Sequence, residues 1–250
     1  MYKRQLQHLE QVITFEGPQT VAAVILESIP GTAGVFVPPA GYLEGVRELT
    51  RRHGILFVAD EVMVGFGRTG TWFGVDHWGV EPDLITFAKG VNSGYVPLGG
   101  VAISDAVYET FAQTPYPGGL TYSGHPLACA AAVATITAMQ DEGMVENAGR
   151  MGEEVFGPRL RQLMQDHPSV GDVRGLGAFW AVELVADRQT KEPLDIADLV
   201  AECKRLGLLP FVAENRLHLA PPLNTPDDVL HRGLDILDQA LAVADRTAAG

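Results

Sequence analysis

Three short apolar runs each lead into an ionisable side chain. Residues 21–26 (VAAVIL) precede Glu27, residues 55–59 (ILFVA) precede Asp60, and residues 84–88 (LITFA) precede Lys89. In an open parallel sheet, ligands bind beyond the carboxyl ends of the strands. If these runs are neighbouring strands, their terminal groups converge on one crevice. A desolvated lysine loses its proton more readily and becomes a nucleophile towards carbonyls. A carboxylate beside it can hold a proton on a heterocyclic nitrogen. These are the two groups that a pyridoxal phosphate enzyme needs. The lysine makes the imine bond to the cofactor, and the carboxylate keeps the ring nitrogen protonated so that the ring accepts electrons. A plain Lys–Asp ion pair would use the same residue types, and their spacing alone does not separate the two readings.

Other motifs point nowhere else. Residues 65–70 (GFGRTG) fit a dinucleotide fingerprint after a strand. That fold requires a helix to begin there and the next strand to end in an acid. The following TWFGVDHWGVEPD is poor helix material, and the next strand ends in Lys89. There is no Walker A sequence, no pair of histidines with metal-ligand spacing, and no nucleophile elbow around Ser123. No metal is expected.

The elements that must position these groups read as α/β. Fully apolar strands joined through helices indicate a parallel sheet covered on both faces. Residues 98–103 offer a fourth strand. Helices are expected at 43–53, ending at Gly54, at 105–112 with Ser104 as N-cap, at 125–139 and at 145–166. The pattern then changes. Strands at 178–185 and 216–220 and helices at 195–206 and 227–243 form a smaller α+β domain. The boundary is placed near Gly143, giving domains 1–143 and 144–250.

Composition narrows the function classes. Hydrophobic residues make up 46% and the formal net charge is −13. A surface that acidic repels phosphate backbones, so no nucleic-acid partner is expected. No apolar run reaches the ~18 residues of a membrane span. The polar start, MYKRQLQHLEQV, lacks the apolar core of a secretion signal. Cys129 and Cys203 lie in apolar helical patterns with no CxxC partner, so two buried, reduced thiols and a cytoplasmic location are expected.

Four blocks then match one family. Residues 60–70 (DEVMVGFGRTG), 82–90 (PDLITFAKG), 94–100 (GYVPLGG) and 121–132 (TYSGHPLACAAA) together resemble the class III pyridoxal phosphate aminotransferases. The APPL segment at 220–223 extends the resemblance towards the end of the chain. It implies the aspartate aminotransferase-like fold type I, with a mostly parallel large-domain sheet and a smaller C-terminal domain. It also implies roles. Lys89 would hold the cofactor and shuttle protons, Asp60 would pair with the pyridine nitrogen, and Val62 would pack under the ring. Thr121 would bind the cofactor phosphate of a neighbouring subunit, which implies a homodimer with a shared active site. The blocks are most similar to the branch acting on ω-amino acids such as β-alanine or taurine, with a 2-oxo acid (pyruvate or 2-oxoglutarate) as acceptor.

Three departures qualify that picture. Met63 stands where many relatives have a glutamine that bonds the ring's phenolic oxygen. His218 stands where ornithine- and 4-aminobutyrate-type members carry a carboxylate-binding arginine. Arg216, on the same strand face, is the candidate for a substrate carboxylate or sulfonate, against the plainer reading of a solvated strand charge. Family members also carry a long segment upstream of the VAAVILE strand, which supplies further strands, the phosphate cup and the ring-stacking aromatic. The chain is therefore expected to be the C-terminal part of such an enzyme. An aminomutase or decarboxylase on the same fold, or a non-catalytic remnant, are the competing readings.

Overall fold

The structure, a computed structural model, describes residues 2–248. The chain forms two compact units. The first runs through Ile29 and includes Pro38–Phe66 and Thr71–Glu142. The second comprises Pro30–Val37, Gly67–Gly70 and everything from Gly143 onward.

In the first unit the elements are α1 (Tyr2–Glu16), β1 (Ala23–Glu27), α2 (Tyr42–His53), β2 (Leu56–Asp60), β3 (Leu84–Phe87), β4 (Gly100–Ile103), α3 (Asp105–Phe111) and α4 (Pro126–Asp141). The strands form one sheet in the order β1-β2-β3-β4. β1 and β2 pair in parallel, as do β2 and β3, whereas β4 runs antiparallel to β3. The sheet is thus mostly parallel, with the fourth strand reversed. Only a short 3₁₀ turn (Lys89–Asn92) and a loop separate it from β3, too little chain for the crossover that a parallel strand requires.

Two helices cover one face of this sheet. Val24 and Leu26 of β1 and Phe57 of β2 pack against Leu43 and Val46 of α2 and Leu6 and Leu9 of α1. Arg47 of α2 clamps Asp83 through two hydrogen bonds of 2.6 and 2.9 Å, and Asp83 also accepts the Phe57 N–H at 2.8 Å. The helix ends where Gly54 takes a left-handed φ of 66°. The opposite face is only partly covered, with Val58 buried on it. Ile25, Leu56, Val101 and Ile103 are exposed there, Ile25 to 63%. Helix α4 is likewise apolar around its circumference, with Leu127 and Val133 exposed. Cys129 on α4 is exposed, correcting the expectation of a buried thiol. Cys203 is buried, and burial pushes its thiol up to about 11. Among the described residues no helix is long and apolar enough to cross a membrane.

The second unit holds α5 (Met144–Arg150), a π-helical turn (Met151–Phe156), α6 (Gly157–Asp166), β5 (Val170–Leu176), β6 (Phe179–Asp187), β7 (Glu192–Pro193), α7 (Ala197–Leu206), β8 (Phe211–Ala213), β9 (Arg216–Leu219) and α8 (Asp227–Ala248). Its antiparallel sheet has the order β5-β6-β9-β8, with β7 beside β6. Leu230, Leu234, Leu237 and Leu241 recur at helical spacing along α8 and pack into one core with Leu160, Leu163, Val182, Leu184 and Leu217. Backbones meet without intervening side chains where the 67–70 segment docks. A Cβ on Gly70 would lie 2.6 Å from Gly149 Cα, one on Gly152 would lie 2.7 Å from the Gly177 nitrogen, and Gly177, at φ 55°, abuts Thr69.

An ion cluster fixes α8 in this unit. His167 Nδ1 lies 2.6 Å from Asp245 and Nε2 lies 2.8 Å from Asp238. Carboxylates only accept, so both ring nitrogens donate and the imidazole is charged. Burial of the ring opposes that charge, but the two carboxylates outweigh it and raise the His167 pKa above its ordinary value. Burial acts against Asp238 and Asp245 too. His167 with Arg159 on the former, and Ser169 with His167 on the latter, still hold both below the usual carboxylate range. The sign follows. The histidine's contribution is fully present below its unfolded pKa of about 6.5 and fades as pH rises through the raised value. The carboxylates' contribution is present above about 3.9 and fades as pH falls through the lowered values. His167→Ala is therefore expected to cost about 1–3 kcal/mol between pH 4.5 and 6.5, reduced by the solvent access of Asp238. The cost should shrink at pH 9. Thermal melts of both proteins across pH check this, and a pH-independent difference would contradict it.

Candidate active site

The carboxyl ends of β1, β2 and β3 lie side by side. Glu27 is in register with Asp60, and Asp60 with Thr86. Lys89 follows Thr86 by three residues, at the start of the 3₁₀ turn. Glu27 and Asp60 therefore end adjacent parallel strands, and Lys89 lies two residues beyond the end of the third.

Local conformation sets each side chain. Asp60 is half-buried, and its Oδ1 accepts the Val62 N–H at 3.0 Å, which fixes the carboxylate against its own turn. Val62 is half-buried beside it. Strict strand alternation would send Lys89 to the helix-covered face, opposite Thr86. The strand instead stops at Phe87, and Lys89 adopts a φ of 44°, a region that side-chain-bearing residues seldom occupy and that concentrates at functional positions. Lys89 lines a cavity of about 490 Å³ with Asn92, Gly94, Pro97, Leu98 and Gly99. The buried Asn92 shapes its wall by donating to the Val96 carbonyl and accepting the Gly94 N–H. Asp60 stands outside that lining, one strand over.

One expectation fails here. The sequence argument relies on a desolvated lysine, yet Lys89 is exposed. Thr121 is exposed in a turn at 121–124. Arg216 belongs to the second unit. It is half-buried, donates to Glu214, and sits with Arg174 around Gly34, where a Cβ would lie 2.8 Å from one guanidinium and 3.0 Å from the other side chain. Arg174 is neutralised by Asp172 and Glu183, each at 2.7 Å. His218 is buried between Phe179 and Phe211, and neither ring nitrogen has a hydrogen-bond partner. Burial first, then the charges of Arg216 and Arg174, lower its pKa, so it is neutral. It lines a more enclosed apolar cavity of about 480 Å³ with Leu208, Leu209, Phe211 and Leu219, which contains neither Lys89 nor Asp60.

Sequence reasoning passed over Glu61. Its carboxylate is fully buried and accepts the N–H groups of Gly74 at 2.7 Å and Val75 at 3.0 Å. Burial raises its pKa, and the bonds from the Ser28 region, Gly74 and Val75 only partly restore it. The Ser28 hydroxyl is adjacent but falls short of full hydrogen-bond geometry, so the two backbone donors are the firm contacts. Two consecutive acids at a strand end were the available signal, since alternation must send one of them inward.

These blocks belong to a known family. The chain matches the family Aminotransferase class-III over residues 1–241. The chain is a member of the class III aminotransferases. Among class III aminotransferases it is 40% identical to a taurine–pyruvate aminotransferase of Rhodobacter capsulatus over 96% of this chain and 55% of that protein. It is 39% identical to a putrescine–pyruvate aminotransferase of Pseudomonas aeruginosa over 94% and 54% respectively. The crystal structure of taurine:2-oxoglutarate aminotransferase from Bifidobacterium kashiwanohense, in complex with PLP and glutamate, superposes with a TM-score of 0.95 at 39% identity, over 98% of this chain and 56% of that one. The fold is that of the fold type I transaminases, and the chain spans about half the length of the curated class III relatives it matches.

Proposed function

We propose that this chain serves pyridoxal phosphate-dependent transamination, moving an amino group from an ω-amino acid or amine to pyruvate or 2-oxoglutarate, in the cytoplasm and as a homodimer. The observation that carries the reading is the register of β2 and β3, which sets Asp60 beside Thr86, three residues before Lys89. The donor set suits the cofactor: a primary amine in a strained turn over an open cavity, and a carboxylate oriented by its own backbone. When bound, pyridoxal phosphate supplies an electron sink for carbon–hydrogen bond breaking next to nitrogen.

The roles of the chain's own residues follow from their chemistry. The Lys89 amine would hold the cofactor through its aldehyde carbon and, once free, would take the proton from the substrate carbon that bears the transferred nitrogen. Asp60 keeps the pyridine nitrogen protonated through a charge-assisted hydrogen bond. Val62 offers an apolar surface to the ring. Thr121 donates its hydroxyl to the phosphate of a second subunit. Arg216 binds the carboxylate or sulfonate of the amino donor. Relatives named for taurine, putrescine and diaminobutyrate, all of which carry a terminal primary amine, support an ω-amino acid or amine as donor.

The test mixes the purified chain with pyridoxal phosphate and records its visible spectrum. Taurine, β-alanine and putrescine are then offered with each of the two acceptors. A bound-cofactor band is expected, with product amino acid from at least one pair once the chain is complete or complemented. A folded protein that gives neither overturns the reading.

A further inference from the structure

We infer that Glu61 is a positioning residue that holds the ends of β2 and β3 together and thereby fixes the carboxylate of Asp60. Residue 61 is tied at every polar group. Its N–H donates to the Thr86 carbonyl of β3 at 2.9 Å, and its carbonyl accepts the Gly65 N–H at 2.9 Å. Its side chain takes the two N–H groups that open the 3₁₀ turn Gly74–Trp78. Asp60 is bonded to Glu61, and its own carboxylate is held by the N–H of Val62 on the other side. The direction of the Asp60 side chain thus depends on two peptide planes, both of which Glu61 anchors.

A buried carboxylate is a costly way to close a loop. It suits a position where the backbone must not shift, because preorganised groups lose their value when displaced by about 1 Å. Glutamine at 61 would replace one acceptor by an NH₂ group facing a backbone N–H. Aspartate would keep the charge but fall short of Gly74 and Val75.

The inference rests on the reading that Asp60 meets the cofactor ring, and its test separates the two. In the full chain without cofactor, the ¹³Cγ resonance of Asp60 is followed against pH, and amide exchange at Val62 is measured, for wild type, Glu61→Gln and Glu61→Asp. Wild type should protect the Val62 amide. Both variants should shift the Asp60 titration and speed Val62 exchange by ~10-fold or more while far-UV circular dichroism stays native. The pH titration of the visible band of added pyridoxal phosphate should move in parallel. Unchanged Asp60 and Val62 signals in a folded variant overturn the inference, as does an unprotected Val62 amide in wild type, which decides the matter even if neither variant folds. Altered Asp60 signals with no band in any protein would uphold the positioning role and defeat the cofactor reading.

Discussion

Lys89→Ala is expected to erase the visible band of bound pyridoxal phosphate and to lower transamination by at least ~10⁴-fold. On the proposed roles two contributions would vanish together, the amine that bonds the cofactor and the base that moves the proton. No neighbour can substitute, since none of the side chains that share the Lys89 cavity is a primary amine. Folding should survive. Lys89 is exposed, and alanine at φ 44° is no more strained than lysine. Lys89→Arg supplies the control. It keeps the positive charge but remains protonated, so it should lack the band equally. A retained band in either variant, with an unchanged melting temperature, would move the anchoring amine elsewhere.

Asp60→Asn should behave differently. The amide oxygen can still accept the Val62 N–H, so the turn and the cofactor's attachment at Lys89 remain. The negative charge that keeps the pyridine nitrogen protonated is lost. The expected outcome is a protein that still shows the band yet turns over ~10²–10⁴-fold more slowly. The pair of variants therefore separates holding the cofactor from activating it. Equal turnover in Asp60→Asn and wild type would return Asp60 to the status of a strand-end charge.

The sequence was most legible where short-range physics decides. The apolar runs before Glu27, Asp60 and Lys89 became β1, β2 and β3, and helix α2 stopped at Gly54. Elements shaped by distant partners were harder to see. Strand β5 carries Gly171, Asp172, Arg174 and Gly175, a poor strand composition rescued by its ladder with β6. Helix α1 hides its core face in Leu6, Leu9 and Ile13 among polar neighbours, a helical spacing that could have revealed it. The expected single helix over 145–166 contains a π-helical turn at Met151–Phe156, which no propensity announces. The candidate site divides in the same way. Residue types and order put Asp60 and Lys89 forward as candidates. The exposure of Lys89 and the inward turn of Glu61 depend on which layers cover the sheet, and no local pattern contains that information.

The glycine seam of the second unit has its own consequence. Most interior contacts can be retuned by trading one side chain for another of similar bulk. Where Gly70, Gly149, Gly152 and Gly177 come together there is nothing to trade, because the touching surfaces are main chain. Variation there is confined to keeping the residue or dismantling the joint, so adaptation of this molecule to new temperatures or substrates must be sought elsewhere along the chain.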